Sequence, residues 1–123
     1  MKAYKRLFKE TEEFFKGDDF YEHHYTDSDA MSELELYIEN DGDLYRQTFM
    51  PIINNIKRKI KSGKYNHLLA PKLWMYFVEN GAKKYGKEFG GTWNEIFTKK
   101  DRMILAQKLA DYYYDRIIQG EYN

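Results

Sequence analysis

Cationic side chains in the middle of the chain have the clearest chemical capacity. The run from Lys57 to Lys64 contains five lysines and arginines, and Lys57, Arg58 and Lys61 share one face of a helix. Several cations on one face can bind phosphates, because each neutralised phosphate releases condensed counterions. One interpretation is a nucleic-acid-binding surface; the simpler alternative is a solvated face that pairs with acidic residues. The candidate nucleic-acid-binding residues are Lys57, Arg58, Lys61, Lys64, Lys83, Lys84 and Lys87.

Carboxylates dominate the stretch that precedes this run. Between Gly17 and Tyr45 the sequence has ten Asp and Glu residues and no Lys or Arg, with tyrosines interleaved. A row of carboxylates among aromatic rings could imitate a phosphate backbone and occupy a basic site on another protein. Tyr is also enriched at binding surfaces. We therefore predict a protein-binding surface, against the alternative of a solubilising acidic face. Its candidate residues are Asp18, Asp19, Glu22, Glu33, Glu35 and Glu39.

Imidazole and carboxylate groups also occur together near the start of the acidic stretch. Asp19 and His23 are four residues apart and could hold a metal ion from one helical face, but zinc sites need three or four convergent ligands. The sequence has no H-E-x-x-H, phosphate-loop or dinucleotide-binding glycine pattern. We predict no catalytic residue, no metal ion and no cofactor, and hence a non-enzymatic role.

The overall composition limits the class of protein. At 123 residues the chain has the length of one domain, and it contains no Cys. The absence of Cys and of an apolar N-terminal stretch leads us to expect a cytoplasmic protein that does not enter a membrane. The net charge is zero, yet residues 1–48 are acidic and residues 49–123 are basic. This asymmetry indicates either a charged partner or neutralisation of one half by the other.

The element that must position these groups is a predicted central helix, Asn66–Phe89, with Asn66 as its N-cap. Its apolar side chains cover so wide an arc that we expect neighbours on more than one side. Gly81 and Ala82 lie inside this arc and would allow another helix to approach closely. The arc consists of Leu73, Trp74, Met75, Phe77, Val78, Gly81, Ala82, Tyr85 and Phe89, and the opposite face of Lys72, Glu79 and Lys83.

Other segments also show helical spacing. A first helix is predicted over residues 3–16, and one stripe of apolar residues begins at Phe49 and ends before Gly63. The last predicted helix opens at Thr98, and its apolar stripe consists of Met103, Ala106, Leu109, Ala110, Tyr113 and Ile117. Residues 34–48 fit a helix better than a β-hairpin, which remains an alternative because N-D-G-D follows alternating apolar residues. We predict an all-α, single-domain, orthogonal bundle of four to five helices; a dimer is a further alternative, since Ile104 and Ile118 project from the last stripe.

Several short motifs resemble those of small accessory proteins encoded by bacteriophages and plasmids. The likeness runs from Glu35 to Ala110 and is carried by F-M-P-I-I-N-N-I-K-R-K, G-K-Y-N, A-P-K-L-W and G-A-K-K-Y-G-K-E-F. The resemblance implies a mobile-element accessory protein that binds a host or viral macromolecule, including the inhibition of a host-defence or DNA-binding protein. It implies no catalytic residues.

Overall fold

The structure is a computed structural model that describes residues 29–122, and over this range the chain is helical without strands. This confirms the predicted all-α class. The predicted helix over residues 3–16 lies outside the described residues. The elements are α1 (Asp29–Glu39), α2 (Gly42–Leu44), a π-helical segment (Tyr45–Phe49), α3 (Met50–Lys61), α4 (Ala70–Phe89), α5 (Trp93–Ile96) and α6 (Lys99–Ile118).

The ambiguous stretch over residues 34–48 is helical apart from a short turn at Asn40 and Asp41, so the hairpin alternative is wrong. In α1 the side chains of Met31, Leu34 and Ile38 are buried, whereas that of Leu36 is 66% exposed. This is the spacing of one helical face, not the alternation of a strand. Asp41 caps the next helix, its Oδ1 atom accepting a hydrogen bond from the backbone N–H of Leu44 at 2.9 Å.

A π-helical turn connects α2 to α3 immediately before Pro51. Pro51 has no N–H to donate to the carbonyl of Gln47, and its ring would crowd that carbonyl in a regular α-helix. The backbone N–H of Met50 instead bonds to the carbonyl of Tyr45, five residues earlier. The wider turn therefore carries the chain past the proline without ending the helical path.

The central helix begins at Ala70 rather than at Asn66 as predicted. The side chain of Asn66 accepts a hydrogen bond from the N–H of Leu68 at 2.8 Å, so it orders the turn that precedes the helix. Pro71 then lies in the first helical turn, where no intrahelical donor is required. Gly90, with a φ of 83°, ends the helix after Phe89.

Helix α4 packs against α1, α3 and α6, and the core lies around it. The ring of Trp74 stacks on that of Tyr113 of α6 with 5.1 Å between centroids, and Phe49 meets Tyr113 edge-on at 4.9 Å. The predicted stripes of α3 and α6 are buried in this core. The buried members of those stripes are Phe49, Ile52, Ile53, Ile56, Met103, Ala106, Leu109, Ala110, Tyr113 and Ile117.

The predicted faces of α4 need two corrections. Phe89 was placed in the apolar arc but is 62% exposed, because it lies at the end of the helix. Lys72 and Glu79 were placed on the solvent face but are only 3% and 9% exposed. At Glu79 the covering residue is Arg102 of α6, whose guanidinium forms an ion pair with the Glu79 carboxylate at 3.1 Å.

Gly81 sets the distance between α1 and α4. A Cβ atom at this position would lie 2.1 Å from Cγ2 of Ile38, which is buried and cannot move aside cheaply. The prediction that Gly81 allows close helix approach is therefore confirmed.

Substituting Gly81→Ala should lower the free energy of unfolding by about 1–3 kcal/mol, because the overpacking exceeds the gain in helix propensity. Urea denaturation measures the change. Gly42→Ala is the matched control, since its Cβ would meet only the flexible guanidinium of Arg46 at 3.3 Å. Equal effects of the two substitutions would contradict the assigned contact.

Candidate functional site

A groove between α1 and α4 brings acidic and aromatic side chains together. We call it the Tyr–acid groove. It has a volume of about 440 Å³ and is lined by Glu33, Leu36, Tyr37, Asn40, Asp41, Tyr85, Glu88 and Phe89. Its two walls come from segments about fifty residues apart in sequence, and the close approach at Gly81 sets their separation.

Two tyrosine hydroxyls tie carboxylates across the Tyr–acid groove. The hydroxyl of Tyr37 donates to Oε2 of Glu88 at 2.6 Å, and that of Tyr85 donates to Oε1 of Glu33 at 2.8 Å. Desolvation and the bond to Glu88 raise the pKa of Tyr37, and the bond to Glu33 raises the pKa of Tyr85. Both hydroxyls therefore remain protonated donors at neutral pH. Each bond fixes a carboxylate that keeps further acceptor sites for a ligand.

Apolar surface lies beside these carboxylates. The rings of Tyr37, Tyr85 and Phe89 form one cluster, with centroid separations of 5.3 Å, 5.9 Å and 4.7 Å. Phe89 closes one end of the cluster and, like Leu36, is largely exposed. Partly exposed rings next to fixed carboxylates suit a Lys or Arg side chain, whose stem covers the rings while its charged end meets the carboxylates.

The structure divides the predicted acidic surface. Glu33 lines the Tyr–acid groove, but Glu35 forms an ion pair with Lys108 of α6 at 2.9 Å. Glu39 accepts a hydrogen bond from the hydroxyl of Tyr113 at 3.4 Å. Desolvation and the negative charge of Glu35 raise the pKa of Glu39. The remaining candidates, Asp18, Asp19 and Glu22, lie outside the described residues.

The predicted cationic set is also divided. Lys57, Arg58 and Lys61 lie in a second groove between α3 and the end of α6, which we call the basic groove. Lys64 lies beyond α3, beside Tyr65. The described residues lining the basic groove are Asn54, Lys57, Arg58, Ile60, Lys61, Ile117 and Ile118.

The α4 lysines do not line the basic groove. Lys84 forms ion pairs with Asp41 at 2.7 Å and with Asp43 at 3.5 Å. The ammonium of Lys83 lies 5.3 Å from the ring centroid of Trp93, and Lys87 is exposed near the end of the helix. The three α4 lysines therefore do not join Lys57, Arg58 and Lys61 in a single cationic face.

Histidine chemistry is limited in the part of the chain that the structure describes. His67 packs edge-on against Tyr114, with 4.5 Å between ring centroids, and lies beside Tyr65 at 4.9 Å. Over residues 29–122, no three His, Asp or Glu side chains are placed to hold a metal ion. His23 and its neighbours lie outside this range.

Sequence reasoning identified Glu33 but missed Tyr85, Glu88 and Phe89 as parts of the same site. Asp41 belongs to the N-D-G-D segment, whose pattern indicates a hairpin turn rather than the helix cap that Asp41 forms. The pairs Tyr37–Glu88 and Glu33–Tyr85 depend on the register of α1 against α4, and no local pattern encodes that register.

Comparisons with protein-family models, curated proteins and solved structures gave no match. Among the helices over residues 29–122, none is long and apolar enough to cross a membrane.

Asp41→Asn should lower the free energy of unfolding at neutral pH. Partial burial raises the pKa of Asp41, but hydrogen bonds from Lys84 and from the N–H of Leu44 outweigh it, so the pKa lies below its usual value. Such a depressed pKa adds stability above the unfolded-chain pKa near 3.8, and this stability is lost as pH falls through the folded pKa.

Denaturation of wild type and Asp41→Asn across acidic pH tests this contribution. Asn retains the helix cap, so the difference isolates the charge. The two unfolding free energies should converge as pH falls below the pKa of Asp41. Asp115→Asn, at an exposed position of α6, is the matched control. A constant difference at every pH would show that the ion pair is not its source.

Proposed function

We propose that this protein is a non-enzymatic phage or mobile-element accessory protein that binds a host or viral protein through the Tyr–acid groove. The observation that carries the proposal is the pair of exposed apolar side chains, Leu36 and Phe89, beside carboxylates that tyrosine hydroxyls hold in place. Side chains fixed before binding lose less conformational entropy on binding, which favours affinity.

The chemistry of the groove indicates a basic partner surface. Glu33 and Glu88 supply negative charge, and the aromatic cluster supplies area for the stem of a Lys or Arg residue. Basic surfaces of this kind occur on proteins that hold nucleic acid. The proposal therefore includes inhibition of a host-defence or DNA-binding protein in the cytoplasm of a bacterial host, without a cofactor.

Leu36→Lys tests this proposal by placing a cation in the groove at an exposed position. Immobilised wild type and variant are compared by quantitative mass spectrometry of proteins retained from a bacterial lysate. We expect Leu36→Lys to reduce retention of a basic protein by about tenfold or more, because it buries a like charge and removes apolar area. Tyr85→Phe, which removes one tie, should weaken retention several-fold.

Ile118→Lys is the matched control, because Ile118 is similarly exposed but lies in the basic groove. Circular dichroism verifies that each variant is folded. Equal retention by wild type and Leu36→Lys would show that the Tyr–acid groove does not bind the retained protein.

A second candidate function is nucleic-acid binding, and it is favoured by the location of Lys57, Arg58 and Lys61 along one groove. Electrophoretic shifts of duplex and single-stranded oligonucleotides at low and moderate salt test it. Affinity should fall steeply with salt, and the double variant Arg58→Gln, Lys61→Gln should reduce the salt slope by about 2. Lys83→Gln, Lys87→Gln is the control; equal slopes for both double variants would contradict this function.

A further inference from the structure

The basic groove combines its cations with an apolar floor of isoleucine side chains. Ile60 is half-buried and Ile117 is buried, while Ile118 is 55% exposed although it lies between the ends of two packed helices. The groove is open, with a volume of about 650 Å³. A side chain placed in it would contact Ile118 and Ile60 together.

Positive charge lines the rim of this floor. The ammonium of Lys57 donates to the backbone carbonyl of Tyr122 at 2.6 Å, which holds it at the edge of the groove. Arg58 and Lys61 are exposed and form no ion pair with a described carboxylate. Among the described residues that line the groove, none is acidic. Arg58 and Lys61 therefore differ from Lys84 and Lys108, whose charges are neutralised by Asp41 and Glu35.

We propose that the basic groove binds an acidic peptide segment of a partner protein, with an apolar side chain on the isoleucine floor and flanking carboxylates on Arg58 and Lys61. Charge complementarity sets the sign of the partner. The floor sets its class, because a phosphate backbone would engage the cations but leave Ile118 uncovered. An apolar peptide side chain would gain the free energy of burial there.

This second docking surface is separate from the Tyr–acid groove. The described residues lining the two grooves have no member in common, and their charges are opposite. The protein could then hold a basic partner and an acidic partner at once. The inference does not rest on the proposed function, and either surface can fail without the other.

Fluorescence anisotropy with two labelled peptides tests the inference. One peptide contains Glu and Leu, and the other contains Glu and Ser at equal length and charge. We expect the Glu/Leu peptide to bind at least about tenfold more tightly, the ratio that burial of one large apolar side chain gives. Ile118→Ser should abolish most of this preference, whereas Arg58→Gln, Lys61→Gln should weaken both peptides.

Leu36→Lys is the control and should leave both affinities unchanged, because Leu36 lies in the other groove. Equal affinities of the two peptides would overturn the inference. It would also be overturned if duplex DNA bound more tightly than the Glu/Leu peptide and Ile118→Ser had no effect, which would identify a phosphate-binding surface.

Discussion

Helix α4 is buried around most of its circumference, and this burial fixes where the other described helices lie. Eleven of its twenty residues are buried. Trp74 stacks on α6, while Gly81 admits Ile38 of α1 to a distance that no other residue would allow. Both grooves follow from this arrangement: one forms where α1 meets α4, and the other where α3 meets the end of α6.

Part of the charge asymmetry in the described part of the sequence is neutralised within the fold. Glu35 pairs with Lys108 and Asp41 with Lys84 across the two halves, and Glu79 pairs with Arg102 within the basic half. The Glu79–Arg102 pair is buried, and Trp93 covers its guanidinium at 4.7 Å. A buried pair adds little net stability, yet removal of one partner costs several kcal/mol, so such a pair specifies which faces meet. Among the remaining charges, Glu33 and Glu88 line the Tyr–acid groove, and Lys57, Arg58 and Lys61 line the basic groove.

The sequence predicts the fold class and the buried stripes of α3 and α6, because strict 3.6-residue periodicity reports one-sided burial. It fails where a helix has more than one covered face: Lys72 and Glu79 are polar by type but buried by their neighbours. It also fails at the start of α4, where Asn66 caps a turn rather than the helix. Of the Tyr–acid groove, the sequence predicts only Glu33, because the other wall depends on the register of α1 against α4.

The hydrogen bonds across the Tyr–acid groove link this surface to the core of the fold. The ring of Tyr85 packs on the buried Phe97, with 5.1 Å between ring centroids, while its hydroxyl donates to Glu33, so one residue belongs to both the core and the groove. Leu36 and Phe89, by contrast, extend into solvent. Substitutions at these two exposed positions would change the chemistry of the groove at little cost in folding stability. Substitution of the tyrosines would disturb the packing as well, so the groove can vary most freely at its rim.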